Sequence, residues 1–249
     1  MTSNLTTARI RSVLLDIEGT TTPISFVHEV LFSFARARLK DYLTRNWESP
    51  ELAADIAGLH DEHAADVERN LKPPALRLRG EEQIGSVIAY VNWLMDKDRK
   101  STTLKNLQGK IWKQGYLSGT LAAETFTDVA PALERWRKAG LSISIFSSGS
   151  VLAQKLLFAH THDGDLTSLI DNYFDTTTGA KAEPESYLRI AKSLRLPAPE
   201  ILFISDVGTE LAAAKIAGMQ TLLCVRPGNA RTEGDEEFEA VRSFDGLFS

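Results

Sequence analysis

Three short apolar runs in this chain each end in polar residues that are capable of chemistry. Residues 12–15 lead into Asp16, residues 141–146 lead into a Ser-Ser-Gly-Ser stretch, and residues 201–204 lead into Ser205 and Asp206. Short runs of this kind, bounded by turn-forming residues, are typical of strands that are buried on both faces. The sequence therefore predicts buried strands with polar loops at their carboxyl ends.

Helical patterns alternate with these runs, several of them beginning near a proline or ending at a glycine. They cover residues 131–138, 151–158, 184–194 and 209–217. Alternation of apolar strands with helices favours an α/β fold, in which a doubly wound, Rossmann-like parallel sheet is covered by helices on both faces. Ligands bind such sheets at the carboxyl ends of the strands, where the polar residues fall.

Residues 24–124 differ in composition from the rest of the chain and interrupt this alternation. They are rich in Ala, Leu, Arg, Glu and Lys and have few β-branched runs. Candidate helices cover residues 27–43, 50–65, 80–96 and 104–116. We predict a helical cap at 24–124, inserted into an α/β core formed by residues 1–23 and 125–249. Because the insertion follows the first polar cluster directly, we expect it to cover the strand ends and exclude water.

The composition excludes several classes of partner. With 28 Lys and Arg against 33 Asp and Glu, the formal charge is −5, so there is no broad cationic surface for nucleic acid or membrane lipid. The single cysteine, Cys224, lies in an apolar run and predicts a buried core residue. No run of about 18 apolar residues and no signal-peptide pattern occurs. We expect a cytoplasmic monomer that acts on a small molecule.

Asp16 and Glu18 place two carboxylates where a strand runs out into a loop. An ionised Asp16 would be able to attack phosphorus, while the second acid protonates the leaving oxygen and later activates water. The alternative is a solvated polar turn. Asp206 and Glu210 form a second acidic pair, which suits a hard cation such as Mg²⁺. Glu210 alternatively complements the dipole of the helix that it begins.

Ser147 and Ser148 offer hydroxyl and backbone N–H groups just before a helix, an arrangement that binds phosphate oxygens. The alternative is that the serines of residues 147–150 serve only to cap the helix. Lys181 lies in a loop before another helix, where a lysine is usually solvated. As single residues these signals are weak, and their order along the chain is more specific.

Four motifs follow one another along the chain in an order that resembles the signature of the haloacid dehalogenase-like hydrolases. They are Asp-x-Glu-Gly-Thr, Ser and Asp, each after an apolar strand, and a Lys in a loop before the last of these strands. Most phosphatases of that superfamily carry Asp two residues after the nucleophile, whereas this chain has Glu18. Residues 16–24 are instead similar to the enolase-phosphatase family of methionine salvage. Residues 146–150, 181–187, 205–207 and 104–112 of this chain agree with that family as well.

The resemblance implies that Asp16 is both the nucleophile and a ligand of one Mg²⁺ ion, and that Glu18 transfers protons. Whether Glu18 reaches the metal through its carboxylate or its backbone carbonyl is left open. The resemblance also implies that Lys181 neutralises charge on Asp16 and on the transferring phosphoryl group. The implied metal ligands are Asp16, Glu18 and Asp206, and the implied phosphate ligands are Ser147, Ser148 and Lys181.

That family enolises 2,3-diketo-5-methylthiopentyl-1-phosphate and then removes its phosphate, which gives the acireductone 1,2-dihydroxy-3-keto-5-methylthiopentene. The nearest alternative is another capped phosphatase or phosphomutase of this fold that acts on a small sugar phosphate. A second alternative is a binding protein that has lost the chemistry. Gln108 and Trp112 are candidates for contact with the non-phosphate end of the substrate, although Trp112 equally suits packing within the cap.

Overall fold

The chain divides into two compact units. One comprises Met1–His28 and Ala122–Ser249, and the other comprises Glu29–Leu121. The computed structural model describes residues 10–77, 79–80, 82–99, 101–230 and 234–248. The first unit carries the strands and the second is helical, so the insertion interrupts the α/β unit just after its first strand.

A parallel sheet organises the α/β unit. Over the described residues it has six strands in the order β3-β2-β1-β4-β5-β6, and every neighbouring pair is parallel. The strands are β1 Ser12–Leu15, β2 Ser142–Phe146, β3 Asn172–Phe174, β4 Ile201–Ser205, β5 Gln220–Cys224 and β6 Ala240–Val241. This arrangement confirms the predicted doubly wound, Rossmann-like core.

Four α-helices described in this unit connect the strands. They are α5 Val129–Lys138, α6 Val151–Ala159, α7 Pro184–Leu194 and α8 Gly208–Ile216. Because parallel crossovers are right-handed, α5 and α6 cover one face of the sheet, while α7 and α8 cover the other. On the second face, Leu14 and Phe203 from the central strands form a buried cluster with Tyr187 and Leu211.

The helical unit is built from four described helices, α1 Phe32–Asn46, α2 Pro50–Glu68, α3 Gln83–Asp96 and α4 Thr102–Leu117. A π-helical segment, Phe26–Leu31, precedes α1. Side-chain caps begin two of the helices: the hydroxyl of Ser49 accepts from the Leu52 amide at 3.2 Å, and that of Ser101 accepts from the Leu104 amide at 2.9 Å. Leu39, which lies on α1, is fully buried.

The observed elements agree closely with the sequence predictions where hydrophobic periodicity is strong. Helix α7 has the bounds that its proline and apolar pattern predict, and the predicted strands 141–146 and 201–204 correspond to β2 and β4. Sequence reasoning assigned no separate strand to β3 or β6, which are three and two residues long and lack fully buried residues. Cys224 is buried at the end of β5, as predicted.

Among the helices that the structure describes, none combines the length and the apolar character that a membrane span requires.

The buried core of the α/β unit should determine how much stability a substitution removes. Replacing Leu14, which is fully buried on β1, with alanine should lower the free energy of unfolding by about 2–5 kcal/mol. The same replacement at Leu188, which is 51% exposed on α7, should change it by less than about 0.5 kcal/mol. Urea unfolding followed by circular dichroism measures both, and equal losses would contradict this assignment of the core.

Candidate active site

The central strand of the sheet defines where the candidate site lies. Strand β1 pairs with β2 on one side and with β4 on the other, so the chain order reverses here. The Asp16 amide, one residue beyond β1, donates to the Ile204 carbonyl at 3.0 Å. Asp16 and Asp206 therefore leave adjacent strand ends at the topological switch point, where open α/β sheets bind ligands.

Lys181 joins two of the acidic residues. Its Nζ lies 2.6 Å from Asp16 Oδ1 and 2.6 Å from Glu210 Oε2, and only 10% of its side chain is exposed. The Tyr187 hydroxyl, on the first turns of α7, donates to the Lys181 carbonyl at 2.7 Å. The backbone of this loop lysine is thus fixed by a hydrogen bond from α7, the helix that follows it. Its ammonium group contacts Asp16, the candidate nucleophile.

This arrangement forces two carboxylates to share one ammonium group. Burial by itself would lower the pKa of Lys181, but the carboxylates of Asp16 and Glu210 outweigh it and raise that pKa. Burial, and then the charge of Asp16, raises the pKa of Glu210 despite its ion pair. The lysine stays protonated throughout the physiological range, while the acidic residues retain excess negative charge.

The carboxyl group of Asp206 belongs to the same acidic cluster. Burial, followed by the nearby charge of Asp16, raises its pKa to about 7, and the opposing effect of Lys181 is smaller. Gly19, in the loop after Asp16, comes so close to Asp206 that a Cβ atom there would collide with the Asp206 carboxylate. Gly19 also has a φ of +70°, which favours glycine. The loop and the second acidic residue are therefore in direct contact.

Glu18 lies at the open side of the same loop. Its side chain is 40% exposed, and its Oε1 lies 2.7 Å from His28 Nε2. Burial raises the pKa of Glu18, with a further contribution from the charge of Asp16, and His28 opposes both. A partly exposed carboxyl group with a raised pKa, beside a buried carboxylate, suits the exchange of protons with a bound molecule.

Ser147 and Ser148 follow β2, the strand next to β1. Ser147 is buried, its amide donates to the Phe174 carbonyl at 3.1 Å, and its Oγ accepts from the Gly149 amide at 3.2 Å. Ser148 is exposed, and the cap of α6 is neither of these residues but Ser150, whose Oγ accepts from the Ala153 amide at 3.3 Å. The alternative of a simple helix cap thus applies to Ser150.

Sequence reasoning missed two members of this site. The Ser205 hydroxyl lies 3.0 Å from Glu210 Oε2 and 3.4 Å from Asp16 Oδ2, which ties the ends of β1 and β4 to α8. His28 pairs with Glu18. The only signal for Ser205 was its place directly before Asp206, and no local signal marks His28. Trp112, by contrast, donates its indole N–H to the Leu31 carbonyl at 2.8 Å within the helical unit.

The residues at the strand ends suit a hard divalent cation. No three His, Cys, Asp or Glu side chains in the described ranges are arranged so as to enclose a metal ion by themselves. Mg²⁺ usually takes only one or two carboxylates from a protein and keeps several waters, so a full protein cage is not required. The surplus charge of Asp16 and Asp206, opposed by one shared lysine, is the feature that fits a cation.

Comparison with known proteins gives the class that this fold and site define. The family model described as haloacid dehalogenase-like hydrolase matches residues 10–218. Those residues include β1, β2, β4 and all of the candidate site residues named above. The chain belongs to this family of hydrolases.

Individual relatives point to one group of enzymes within this family. The chain is 50% identical over 239 residues to the protein named Enolase-phosphatase E1 from Synechococcus elongatus, which covers 96% of this chain and 98% of that protein. It is 42% identical over 245 residues to Enolase-phosphatase E1 from Danio rerio, with 95% and 94% coverage. The crystal structure of the UTR4 protein from Saccharomyces cerevisiae matches with a TM-score of 0.79 at 34% identity, covering 96% of this chain and 100% of that chain. The resemblance to the enolase-phosphatases that the motifs predicted is confirmed.

The charge arrangement around Asp206 generates a prediction for the metal-free protein. Because the pKa of Asp206 is raised in the folded state, its protonation stabilises the fold at low pH, and this contribution is lost as pH rises towards about 7. Asp206→Asn removes the like charge, so at pH 8 the variant should melt roughly 2–4 °C higher than wild type, a gain of about 1 kcal/mol. The gap should widen from pH 5 to pH 8.

Adding Mg²⁺ should reverse the order of stability. Wild type should melt at a higher temperature as Mg²⁺ is added at pH 8, whereas Asp206→Asn should gain much less. Asp61→Asn, at a side chain that is 88% exposed, is the matched control and should behave as wild type. Differential scanning fluorimetry measures all three proteins. An Asp206→Asn variant that is less stable than wild type without metal at pH 8 would show that burial and the neighbouring charges do not destabilise the ionised form of Asp206.

Proposed function

We propose that this chain is a Mg²⁺-dependent, bifunctional enolase-phosphatase. It converts 2,3-diketo-5-methylthiopentyl-1-phosphate to the acireductone 1,2-dihydroxy-3-keto-5-methylthiopentene and inorganic phosphate, as a step of methionine salvage. The single observation that carries the proposal is the buried Lys181 ammonium, 2.6 Å from Asp16 Oδ1 at the switch point of the sheet. The names of relatives at 42–50% identity over nearly the whole chain support the choice of substrate.

Asp16 is the nucleophile. Lys181 holds one carboxylate oxygen, Oδ1, while Oδ2 lies 3.4 Å from the Ser205 hydroxyl and keeps lone pairs for attack. The attacking oxygen forms a bond to phosphorus, the ester P–O bond breaks, and its electron pair stays on the leaving oxygen. Lys181 also faces the charge that spreads over the phosphoryl oxygens during transfer, which is where such enzymes lower the barrier.

Glu18 moves the protons of both half-reactions. In its protonated form, which its raised pKa makes more available near neutral pH, it donates a proton to the leaving oxygen. The resulting carboxylate then accepts a proton from water as that water attacks the phosphorus of the aspartyl phosphate. Inorganic phosphate leaves, and Asp16 and Glu18 return to their starting forms. Ser147 and Ser148, after β2, bind the phosphate oxygens together with Lys181.

Asp16, Asp206 and Glu18 would hold one Mg²⁺ ion, with Glu18 contributing either its carboxylate or its backbone carbonyl. When bound, the ion neutralises the negative charge that Asp16, Asp206 and the phosphate bring together. The half-exposed position of Glu18, with its carboxylate paired to His28, favours contact through the carbonyl and leaves the side chain for proton transfer.

We also propose that the enzyme is a cytoplasmic monomer without nucleic-acid or membrane partners. The formal charge of −5, with acidic and basic residues both abundant, supports the absence of a broad cationic surface. Light scattering coupled to size exclusion should give the mass of one chain, 27.5 kDa. A dimer mass would contradict this part of the proposal and would leave the chemistry untouched.

The proposal predicts the behaviour of Asp16→Asn. The amide is nearly isosteric, but it neither attacks phosphorus nor binds a cation well, so phosphate release should fall below a few per cent of wild type while the circular dichroism spectrum is unchanged. Ultraviolet absorbance of the enol follows enolisation separately from release of inorganic phosphate. Removal of Mg²⁺ with EDTA should abolish phosphate release by wild type, and restored Mg²⁺ should return it.

Two outcomes would contradict the proposed function. Substantial phosphate release by Asp16→Asn would exclude an aspartyl phosphate on this residue. A higher kcat/KM for small sugar phosphates than for the diketone phosphate would favour the alternative of a sugar-phosphate phosphatase, and the substrate assignment would then be wrong.

A further inference from the structure

Arg226 is a buried cation that the proposed chemistry does not use. It follows β5 in the chain, and only 3% of its side chain is exposed. Its Nε donates to the Thr20 carbonyl at 3.2 Å, and its Nη1 donates to Asp128 Oδ1 at 3.0 Å and to the Arg242 carbonyl at 3.1 Å. One planar group therefore contacts three separate segments of the α/β unit.

Asp128 completes the ion pair and extends it towards the end of the chain. Its Oδ2 accepts from the Phe244 amide at 2.5 Å and from the Ser243 hydroxyl at 3.2 Å, besides lying 2.9 Å from Arg226 Nη1. A carboxylate with this many donors has little freedom to move. Arg226 is thus fixed by a partner that is itself anchored to residues 243–244.

Two aromatic rings hold the guanidinium in one orientation. Its central carbon lies 4.5 Å from the centroid of the Phe126 ring and 4.6 Å from that of Phe244. Arginine is favoured in such positions because its planar group stacks on rings while its edge still donates in a fixed pattern. The geometry fixes the direction of the Nε–H bond, which points at the Thr20 carbonyl.

Thr20 belongs to the loop that carries the proposed proton donor. The amides of Thr20, Thr21 and Thr22 all donate to the Ile17 carbonyl, so residues 17–22 form one tight turn. Asn229 Nδ2 holds the carbonyl of Gly19 in the same turn at 2.8 Å. Because Gly19 is already in contact with Asp206, a small displacement of the turn would change the positions of Glu18 and Asp206 together.

We propose that Arg226 is a positioning residue for the phosphatase reaction: through the Thr20 carbonyl it fixes the turn that presents Glu18 to the substrate. Asp128, Phe126 and Phe244 hold Arg226 in the orientation that this requires. The inference rests on the proposed function for its catalytic part, while the anchoring of the turn is independent of it.

Arg226→Lys is the test variant, and Arg135→Lys is its matched control. Lysine at 226 keeps the charge facing Asp128, but a single ammonium group does not reproduce the Nε–H bond to Thr20 in the same fork geometry. Arg135 donates to the carbonyls of Phe244, at 2.7 Å, and Leu247, at 3.4 Å, so it holds the same terminal segment without touching the turn. A change in residues 16–22 that Arg226→Lys shows and Arg135→Lys does not therefore reports the contact with Thr20.

Kinetics on the diketone phosphate form the first arm, at a temperature well below melting of all three proteins. In Arg226→Lys, kcat for phosphate release should fall about tenfold or more because the catalytic geometry is disturbed. Its KM should stay within about twofold, since the phosphate ligands are intact. Arg135→Lys should retain both constants. Equal losses of kcat in the two variants, or no loss in either, would overturn the positioning role.

Hydrogen exchange followed by mass spectrometry forms the second arm, and it does not depend on activity. Arg226→Lys should exchange faster in residues 16–22 while residues 142–146 are unchanged, whereas Arg135→Lys should change only residues 240–248. Unchanged exchange at 16–22 in Arg226→Lys would overturn the anchoring. If Arg226→Lys fails to fold, Arg226→Gln with Asp128→Asn, which removes both buried charges together, takes its place in both arms.

The two arms separate failure of this inference from failure of the proposed function. A wild type without phosphate release would contradict the proposed function, and the exchange measurement would still decide whether Arg226 anchors the turn. An active wild type with an unimpaired Arg226→Lys variant would contradict the inference alone.

Discussion

The contact between the Lys181 ammonium group and two carboxylates, those of the buried Asp16 and the largely buried Glu210, is the interaction on which the site depends. Each N···O distance is 2.6 Å, and the three groups come from the loop before α7, the end of β1 and the start of α8. Ion pairs buried to this degree are costly to desolvate and strongly unfavourable when one partner is missing. The doubly wound sheet supplies the geometry, because only its switch point places the ends of β1 and β4 side by side.

A single shared lysine leaves the site with more negative charge than positive. Asp206 shows the consequence most clearly, since burial and the charge of Asp16 raise its pKa to about 7. The same imbalance explains why a cation and a phosphate would bind together, because the cation compensates the acidic residues and the phosphate in turn compensates the cation and Lys181. Glu18 is more exposed than the other acidic residues of the site. Its carboxylate pairs with His28, and it is exposed enough to exchange protons with a bound molecule.

Much of this site was predictable from sequence, for physical reasons. Strands buried on both faces leave strong apolar runs, and parallel strands bring their carboxyl ends to one edge, so Asp16 and Asp206 were predicted to converge. The ion pair between Glu210 and Lys181 was not predictable. A glutamate at the start of a helix is equally expected if it only complements the helix dipole, so the sequence does not distinguish the two roles. The contact of Arg226 with Thr20 joins residues 206 positions apart and leaves no local pattern. Strand β3 is only three residues long and half-buried, so its periodicity was too short to detect.

The central claim is that a phosphoryl group passes through a covalent bond to Asp16. Acid quenching within milliseconds of mixing the enzyme with substrate carrying radioactive phosphate, followed by peptide mapping, tests it directly. Glu18→Gln should retain the label longest, because it lacks the base that activates water for the second half-reaction. We predict acid-stable, hydroxylamine-labile label on the peptide that contains Asp16, and after a chase with unlabelled substrate this label should decay more slowly in Glu18→Gln than in wild type. Release of inorganic phosphate by both proteins with no label on that peptide, or with label on another residue, would contradict it.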